Sequence, residues 1–326
     1  MTRLPRLYVV MLRYRIATMV AMFMLVGAAR EGTLRFSWEY VFGLVALGSS
    51  YVAATAMNDL ADEEIDRVNH PRDAGRPLVE GTASRRDLHL LHAVAALLAL
   101  ASSLPLGGRG IAIVLLSLTV SQAYSARPIR FSYRTYLAPV ALAVAYVFVP
   151  YAIGIVAAHG GLEHAGTLLP CALFVLFVAR IVLKDFRDRE GDAVYGKPTL
   201  LLRFGKTATC AVSFVALVAA DALLVAALHR HWGVAALLQP FVAGIAWLLQ
   251  RLWRAGEARD EQIAIGIGAR LGNGLLLSLL GFLVLQGGNA PPAHELVFLG
   301  ALGAVFLAGS AALIVRPREA LIGYKG

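Results

Sequence analysis

The sequence predicts an all-α integral membrane protein, a multi-span helical bundle. Three observations predict it: the composition, the length of the apolar runs and the side on which the basic residues fall. Hydrophobic residues make up 58% of the 326 residues, charged residues only 16%, and 31 glycines come on top. Mean hydropathy is +0.67. A soluble domain is roughly 45–50% apolar with glycine included and about 25% charged. A soluble fold of this composition lacks the polar surface to cover its apolar side chains. Disordered chains, disulfide scaffolds and water-soluble enzymes are excluded on that ground. Cys171 and Cys210 lie in apolar runs, outside any CxxC or Cys/His cluster, and are read as packing residues.

A bilayer core takes about 20 apolar residues per helix. Ten runs meet that need in one polytopic domain over 1–326: 8–28, 38–57, 88–106, 110–126, 136–157, 167–183, 208–228, 233–252, 264–286 and 294–315. The first follows Arg3 and Arg6 and ends near Gly27-Ala28-Ala29, the layout of a signal peptide. It is expected to remain as a span. The last is set apart by Gln286-Gly-Gly-Asn-Ala-Pro-Pro292. The connections alternate in charge. The two ends, the loops 58–86 and 184–206, and the segments around Arg130 and Arg254 hold 24 of the 30 Lys and Arg. The opposite side holds only Arg30, Arg35, Arg109 and Arg230, with Arg180 and Arg270 inside spans. The positive-inside rule makes the basic side cytoplasmic, with both termini inside. The net charge of +9 therefore reports topology, and nucleic acid is not expected as a partner. With no organelle-type transit segment, the expected location is a prokaryotic plasma membrane.

The chemistry sits in two of the cytoplasmic loops. After the second run stands Asn58-Asp59-x-x-Asp62-Glu63-Glu64-x-Asp66-Arg67-x-Asn69. After the sixth stands Lys184-Asp185-x-x-Asp188-Arg189-Glu190-Gly191-Asp192. Each holds three aspartates spaced by three and then four residues, and the offset between the motifs is 126 residues throughout. On a helix that spacing projects three carboxylates along one stripe. Like charges so close repel, and a hard divalent cation compensates them. Mg²⁺ takes one or two carboxylates plus phosphate oxygens, so two facing stripes are expected to clamp a diphosphate through metal. The competing reading is a pair of solvated helix ends. Six of the 21 acidic residues in two matched runs on one side argue against it.

Basic residues follow each motif: Arg67, Arg72 and Arg76 in the first loop, and Gly196-Lys197-Pro198 in the second. Gly75-Arg76-Pro77 repeats the same Gly-[Arg/Lys]-Pro pattern. A third loop reads Tyr124-Ser-Ala-Arg127-Pro128-Ile-Arg130-Phe131. Guanidinium groups match phosphate oxygens in charge and geometry, although each arginine alone also fits a lipid-headgroup anchor.

At these residues the chain resembles the UbiA superfamily of intramembrane prenyltransferases. Asn58-Asp59-x-x-Asp62-x-x-x-Asp66 is similar to that family's first acidic motif. Asp66-Arg67-x-Asn69, Arg76-Pro77-Leu-x-x-Gly81, Asp188-x-x-x-Asp192, Gly196-Lys197-x-Thr199-Leu200 and the Tyr124–Arg130 loop carry the rest of the likeness. The resemblance implies nine spans against the ten runs found, hence nine to ten transmembrane helices around a central cavity capped by the acidic motifs. It implies an Mg²⁺-dependent enzyme that passes an isoprenyl group from a prenyl diphosphate to a lipophilic, aromatic or quinone-precursor acceptor in the lipid phase. Asp59, Asp62, Asp188 and Asp192 are then the catalytic carboxylates and direct metal ligands, with Asp66 and Asp185 completing the metal set. Asn58, Arg67, Arg72, Tyr124, Arg127, Arg130 and Lys184 are the diphosphate contacts.

Loss of diphosphate leaves an allylic cation, which an aromatic face stabilises by about 0.5–2 kcal/mol. Tyr124, Phe131, Tyr146, Tyr151, Phe174 and Phe177 are available, each also readable as an interfacial or lipid-facing aromatic. Polar residues within spans default to functional readings: Arg180 one turn before Lys184, Asp221, and Arg270 with Asn273 on one helix face. An Asp221–Arg270 ion pair is one arrangement. His89 and His92 are read as interfacial rather than as a metal pair. A terpene cyclase would use the same metals and ionisation without an acceptor. A cation transporter would need its carboxylates at mid-membrane depth, and here nearly all lie at one end.

Overall fold

A computed structural model describes residues 3–32, 34–71, 73, 75–162 and 166–318. All regular structure among the described residues is helical. Helices α1 (Arg3–Leu12) and α2 (Tyr14–Arg30) meet at a 66° bend across Arg13, whose φ is 44°. Helix α3 (Trp38–Ala61) stops before Asp62, and α4 (Glu63–Asn69) restarts after it. The short α5 (Pro77–Glu80) opens on a proline suited to a first helical position and closes on Gly81 at φ 77°. Helix α6 (Arg85–Ser103) begins with a capping box. The Asp87 N–H donates to Ser84 Oγ at 3.2 Å, and the Ser84 N–H donates to the Asp87 carboxylate at 2.9 Å. A 3₁₀ turn holding Pro105, and then Gly107 at φ 70°, divide α6 from α7 (Gly107–Ser125).

Helices α8 (Leu137–Ala143) and α9 (Val149–Ala157) are joined through a π turn into one 21-residue stretch. Helix α10 (Leu168–Ile181) runs into a 3₁₀ segment, Val182–Phe186, before α11 (Arg189–Val194). Helix α12 (Leu200–Ala227) breaks at Gly205, where φ is 78°. Helices α13 (Trp232–Arg254), α14 (Ala258–Gly287) and α15 (Pro292–Val315) complete the chain.

All ten apolar runs fall on helical segments, but the expected count of nine to ten spans is not confirmed. Among the described residues seven helical stretches are long and apolar enough to cross a membrane, or eight with the bent α1–α2 pair. Two features account for the difference. Arg85–Ser125 is one 41-residue stretch that contains two of the predicted runs. Helix α10 has only 14 residues before its geometry tightens to 3₁₀.

The chain forms two compact units, each drawing on separate stretches of sequence. The first comprises Met1–Glu31, Arg35–Ala165 and Asp188–Leu202. The second comprises Gly32–Leu34, Gly166–Arg187 and Arg203–Gly326. In the first, α3 is the central helix and packs on α6, α7 and α1. Its buried face contributes Ala46, Leu47, Val52, Ala53 and Ala56. Hydrogen bonds between helices add Tyr8 Oη to Ser49 Oγ and Ser50 Oγ to Ser117 Oγ, both at 2.8 Å. Helices α2 and α9 approach through glycine: a Cβ on Gly27 would strike the Tyr151 carbonyl, and one on Gly154 the Met24 carbonyl. Small residues at a crossing let two helix backbones pack closely, the usual solution inside lipid. In the second unit α13, α14 and α15 pack together around Phe241, which touches Phe306 edge-on at 6.3 Å.

Candidate active site

Each acidic motif is expected to project its aspartates along one stripe at a helix end, and in both the helix breaks within the motif. The α3–α4 break falls at Asp62 (φ −112°), inside the first motif. In the second, Asp185 lies in the 3₁₀ segment, Asp188 is the residue before α11, and Asp192 is within α11. Helix polarity supplies the reason. A helix C-terminus disfavours anions and an N-terminus favours them. Restarting at Glu63 puts Glu63, Glu64 and Asp66 in a first turn, and restarting at Arg189 does the same for Glu190 and Asp192.

The first unit gathers five of the six motif aspartates. Asp59, Asp62, Asp66 and Asp192 are buried and Asp188 is half-buried. Helices α4 and α11 pack against each other. The Gly191 N–H donates to Asn69 Oδ1 at 2.6 Å, and a Cβ on Gly191 would lie 2.6 Å from the Ile65 carbonyl oxygen. Only glycine allows this approach, which brings the two motifs side by side.

Cations interleave the carboxylates. Arg13 donates to both oxygens of Asp59, at 3.0 and 3.1 Å, and to the Gly75 carbonyl at 3.2 Å. Arg76 bridges Asp59 at 2.5 Å and Asp66 at 2.6 Å. Arg130 donates to Asp62 and to the Ala61 carbonyl, both at 3.1 Å, and its guanidinium lies 3.8 Å over the Tyr133 ring. Lys197 donates to Asp62 at 3.2 Å and stands 3.5 Å from Asp192. Asn58 donates its amide to Asp62 at 3.2 Å, and His70 shares a hydrogen bond of 3.1 Å with Asp188.

Burial pushes the Asp66 carboxyl up to about 7; Arg76 pulls it down, and Asp59, Asp62 and Asp188 add to the rise. Burial acts to lower Lys197, but Asp62, Asp192 and Tyr124 outweigh it and hold the ammonium well above the ordinary lysine range. Among the described residues no three His, Cys, Asp or Glu side chains are placed together to hold a metal ion. The carboxylates turn to guanidinium and ammonium groups instead. The donor set nevertheless fits a hard divalent cation by chemistry: it is carboxylate oxygen, buried except at the half-buried Asp188, with the Asn58 amide alongside.

A model of the UbiA prenyltransferase family matches residues 18–271, which take in both acidic motifs. The chain belongs to this family. Helix α15 lies beyond the matched residues.

A digeranylgeranylglyceryl phosphate synthase from Pyrococcus abyssi is 33% identical over 179 residues, 54% of this chain and 59% of that protein. The bacteriochlorophyll synthase 34 kDa chain of Chloroflexus aurantiacus is 27% identical over 216 residues, 64% of this chain and 66% of that one. The matched stretches thus span less than two thirds of these relatives. In fold, the chain is similar to a UbiA homolog from Archaeoglobus fulgidus solved with DMAPP and Mg²⁺. The TM-score is 0.57 at 18% identity, covering 95% of this chain and 99% of that one.

Within this UbiA family member the expected site residues divide. Asn58, Asp59, Asp62, Asp66, Arg130, Asp188 and Asp192 come together in the first unit. Tyr124 is buried in the same unit and acts on Lys197 electrostatically. Arg127 is exposed, and the Arg127–Pro128 peptide is cis. Arg67 is exposed and pairs with Glu63 at 2.8 Å rather than with the aspartates, because one helical turn separates the two. Lys184 and Asp185 belong to the second unit. Arg72 lies outside the described residues.

Arg13, Arg76, Lys197 and His70 were not named as site residues from sequence. For Arg76 and Lys197 the signal was present in the repeated Gly-[Arg/Lys]-Pro pattern: each of these cations returns to the aspartates. Arg13 and His70 left no comparable mark. In the second unit Asp221 accepts from Gln239 Nε2 at 2.9 Å, and His92 pairs with the Ala53 carbonyl at 2.9 Å in the first.

Proposed function

We propose that this chain is an Mg²⁺-dependent intramembrane prenyltransferase working as one membrane-embedded domain. It moves an isoprenyl group from a prenyl diphosphate to a lipophilic acceptor and releases diphosphate. The observation that carries the reading is the interleaved cluster of Asp59, Asp62, Asp66, Asp188 and Asp192 with Arg13, Arg76, Arg130 and Lys197. Family membership and the names of the relatives support it.

Asp59, Asp62, Asp66, Asp188 and Asp192 would hold the metal, with Asp185 a further candidate from its place in the motif. When bound, Mg²⁺ stabilises the charge on the leaving diphosphate. The arginines and Lys197 exchange carboxylate partners for phosphate oxygens, a bidentate match that arginine makes well. Asn58, Tyr124, Arg127 and Lys184 are further contacts by their positions in the motifs. The acceptor's nucleophilic atom then bonds to the allylic carbon and loses its proton.

The names of the relatives support an acceptor that is a glyceryl phosphate lipid or a tetrapyrrole, beside the aromatic and quinone-precursor classes. The basic bias of loops 58–86 and 184–206 supports a cytoplasmic mouth, cytoplasmic termini and a prokaryotic plasma membrane.

The test is Mg²⁺-dependent diphosphate release from geranylgeranyl diphosphate by the purified chain, with and without a panel of acceptors, products read by mass. Release that requires an acceptor is expected. Release without one, giving a diene hydrocarbon or its hydrate, replaces this reading with a terpene cyclase.

A further inference from the structure

We propose that Thr135 is a positioning residue for the donor's diphosphate: its hydroxyl ties the third basic loop to the Lys197-Pro198 turn and so holds Arg130 and Lys197 as one pair across Asp62. The inference rests on the prenyltransferase reading and adds to it a residue that acts through its neighbours. All the groups involved belong to the first unit.

Arg130 Nη2 donates to one carboxylate oxygen of Asp62 at 3.1 Å, and Lys197 Nζ donates to the other at 3.2 Å. Neither cation stands on a helix. Arg130 has φ 43°, and Gly196, at φ 63°, turns the chain just before Lys197. Two cations on one carboxylate repel each other, and irregular backbone resists little. Side chains on loops that must act together need a supporting layer of contacts.

Thr135 supplies that support. It is buried, and its Oγ1 donates to the Pro198 carbonyl at 2.6 Å. Backbone bonds order each turn internally. The Lys197 N–H donates to the Asp192 carbonyl and the Thr199 N–H to the Lys197 carbonyl, both at 2.8 Å. The Tyr133 N–H donates to the Arg130 carbonyl at 2.9 Å. The Thr135–Pro198 bond instead crosses from one turn to the other.

That bond is also neutral. Ion pairs on Asp62 change when the carboxylate takes another partner, whereas a hydroxyl-to-carbonyl bond does not depend on that charge. Arg130 is held from a second side by the Tyr133 ring, 3.8 Å from the guanidinium. Its Nε is sealed and has no hydrogen-bond partner among the described residues, so a donor remains for an incoming oxygen. A guanidinium and an ammonium kept at a fixed spacing suit the two phosphoryl groups of a diphosphate.

The test uses the full chain in detergent and reads binding by calorimetry, without turnover. The probes are geranylgeranyl S-thiolodiphosphate with Mg²⁺, Mg²⁺ pyrophosphate, and geranylgeraniol as the tail alone. Wild type is compared with Thr135→Val, Thr135→Ser, Lys197→Met and the Thr135→Val/Lys197→Met double variant. Ser117→Ala is the control, since it removes a buried bond to Ser50 elsewhere in the same unit. Cooperative thermal unfolding confirms that each variant is folded, and Thr135→Ala replaces Thr135→Val if that chain does not fold.

Thr135→Val should weaken both diphosphate probes by about tenfold, the scale of a buried carbonyl left unsatisfied. Geranylgeraniol binding should not move. Thr135→Ser keeps the hydroxyl and should stay close to wild type. In the Lys197→Met background the loss from Thr135→Val should largely vanish, because residues that act as a unit are not additive. Ser117→Ala should lower the unfolding midpoint and leave the diphosphate affinities alone.

Wild-type affinity in Thr135→Val overturns the proposal. So does an undiminished loss in the Lys197→Met background, an equal loss in Thr135→Ser or Ser117→Ala, or an equal loss for geranylgeraniol. Failure of wild type itself to bind either diphosphate probe removes the prenyltransferase reading and this inference with it, which distinguishes the two failures.

Discussion

Arg76 spans the first motif at two points, since one guanidinium nitrogen serves both Asp59 and Asp66. Arg76→Gln leaves the buried Asp66 without its cation and Asp59 with Arg13 alone. Removing one partner of a buried pair costs roughly 3–5 kcal/mol. Thermal unfolding in detergent, followed by tryptophan fluorescence, should show a clear drop in midpoint. Added Mg²⁺ should recover more of that drop in the variant than it adds to wild type, because the metal supplies the missing charge; equal Mg²⁺ gains in both proteins would count against metal binding at Asp59 and Asp66. Asp62→Ala and Asp188→Ala should abolish turnover in protein that still unfolds cooperatively. Normal turnover in both would sink the metal reading. At this scale the aspartates were legible because their spacing repeats. Arg13 was not, because 46 residues and a helix bend separate it from Asp59.

Helices α4 and α11 decide whether the two motifs form one site. They are 7 and 6 residues long, too short to be stable alone, and they hold each other through the Gly191–Asn69 contact. Gly191→Ala places a methyl group 2.6 Å from the Ile65 carbonyl oxygen and 2.8 Å from the Asn69 side chain. Turnover should fall by about tenfold or more, since a displacement of the order of 1 Å at a reacting centre costs far more than that. Gly256→Ala, with nothing within 4 Å, is the control and should leave turnover intact. The apolar runs predicted the long helices well. They did not predict the breaks at Asp62 and Asp188, because periodicity reports which face is apolar and not where helix polarity makes a restart favourable.

Across the whole molecule, topology is the testable quantity. Reporter fusions after residues 72 and 195 should both read cytoplasmic, and a split result would separate the two motifs. A fusion after Gly108 should read on the opposite side, because Pro105 and Gly107 divide the 41-residue stretch into two helices of 19 residues. A cytoplasmic reading there would make α6 and α7 a re-entrant pair and lower the span count.

The sequence by itself determined that this is a membrane-embedded helical protein, that its basic residues fall mostly on one set of loops, and that two aspartate motifs repeat with one spacing. These are properties of composition and spacing, and they need no partner residue to be read. Only the tertiary structure decided which cations answer those aspartates and that Gly191 lets one motif lie against the other. Each of those depends on residues brought together from distant parts of the chain by packing, and packing between helices leaves no period in a single sequence.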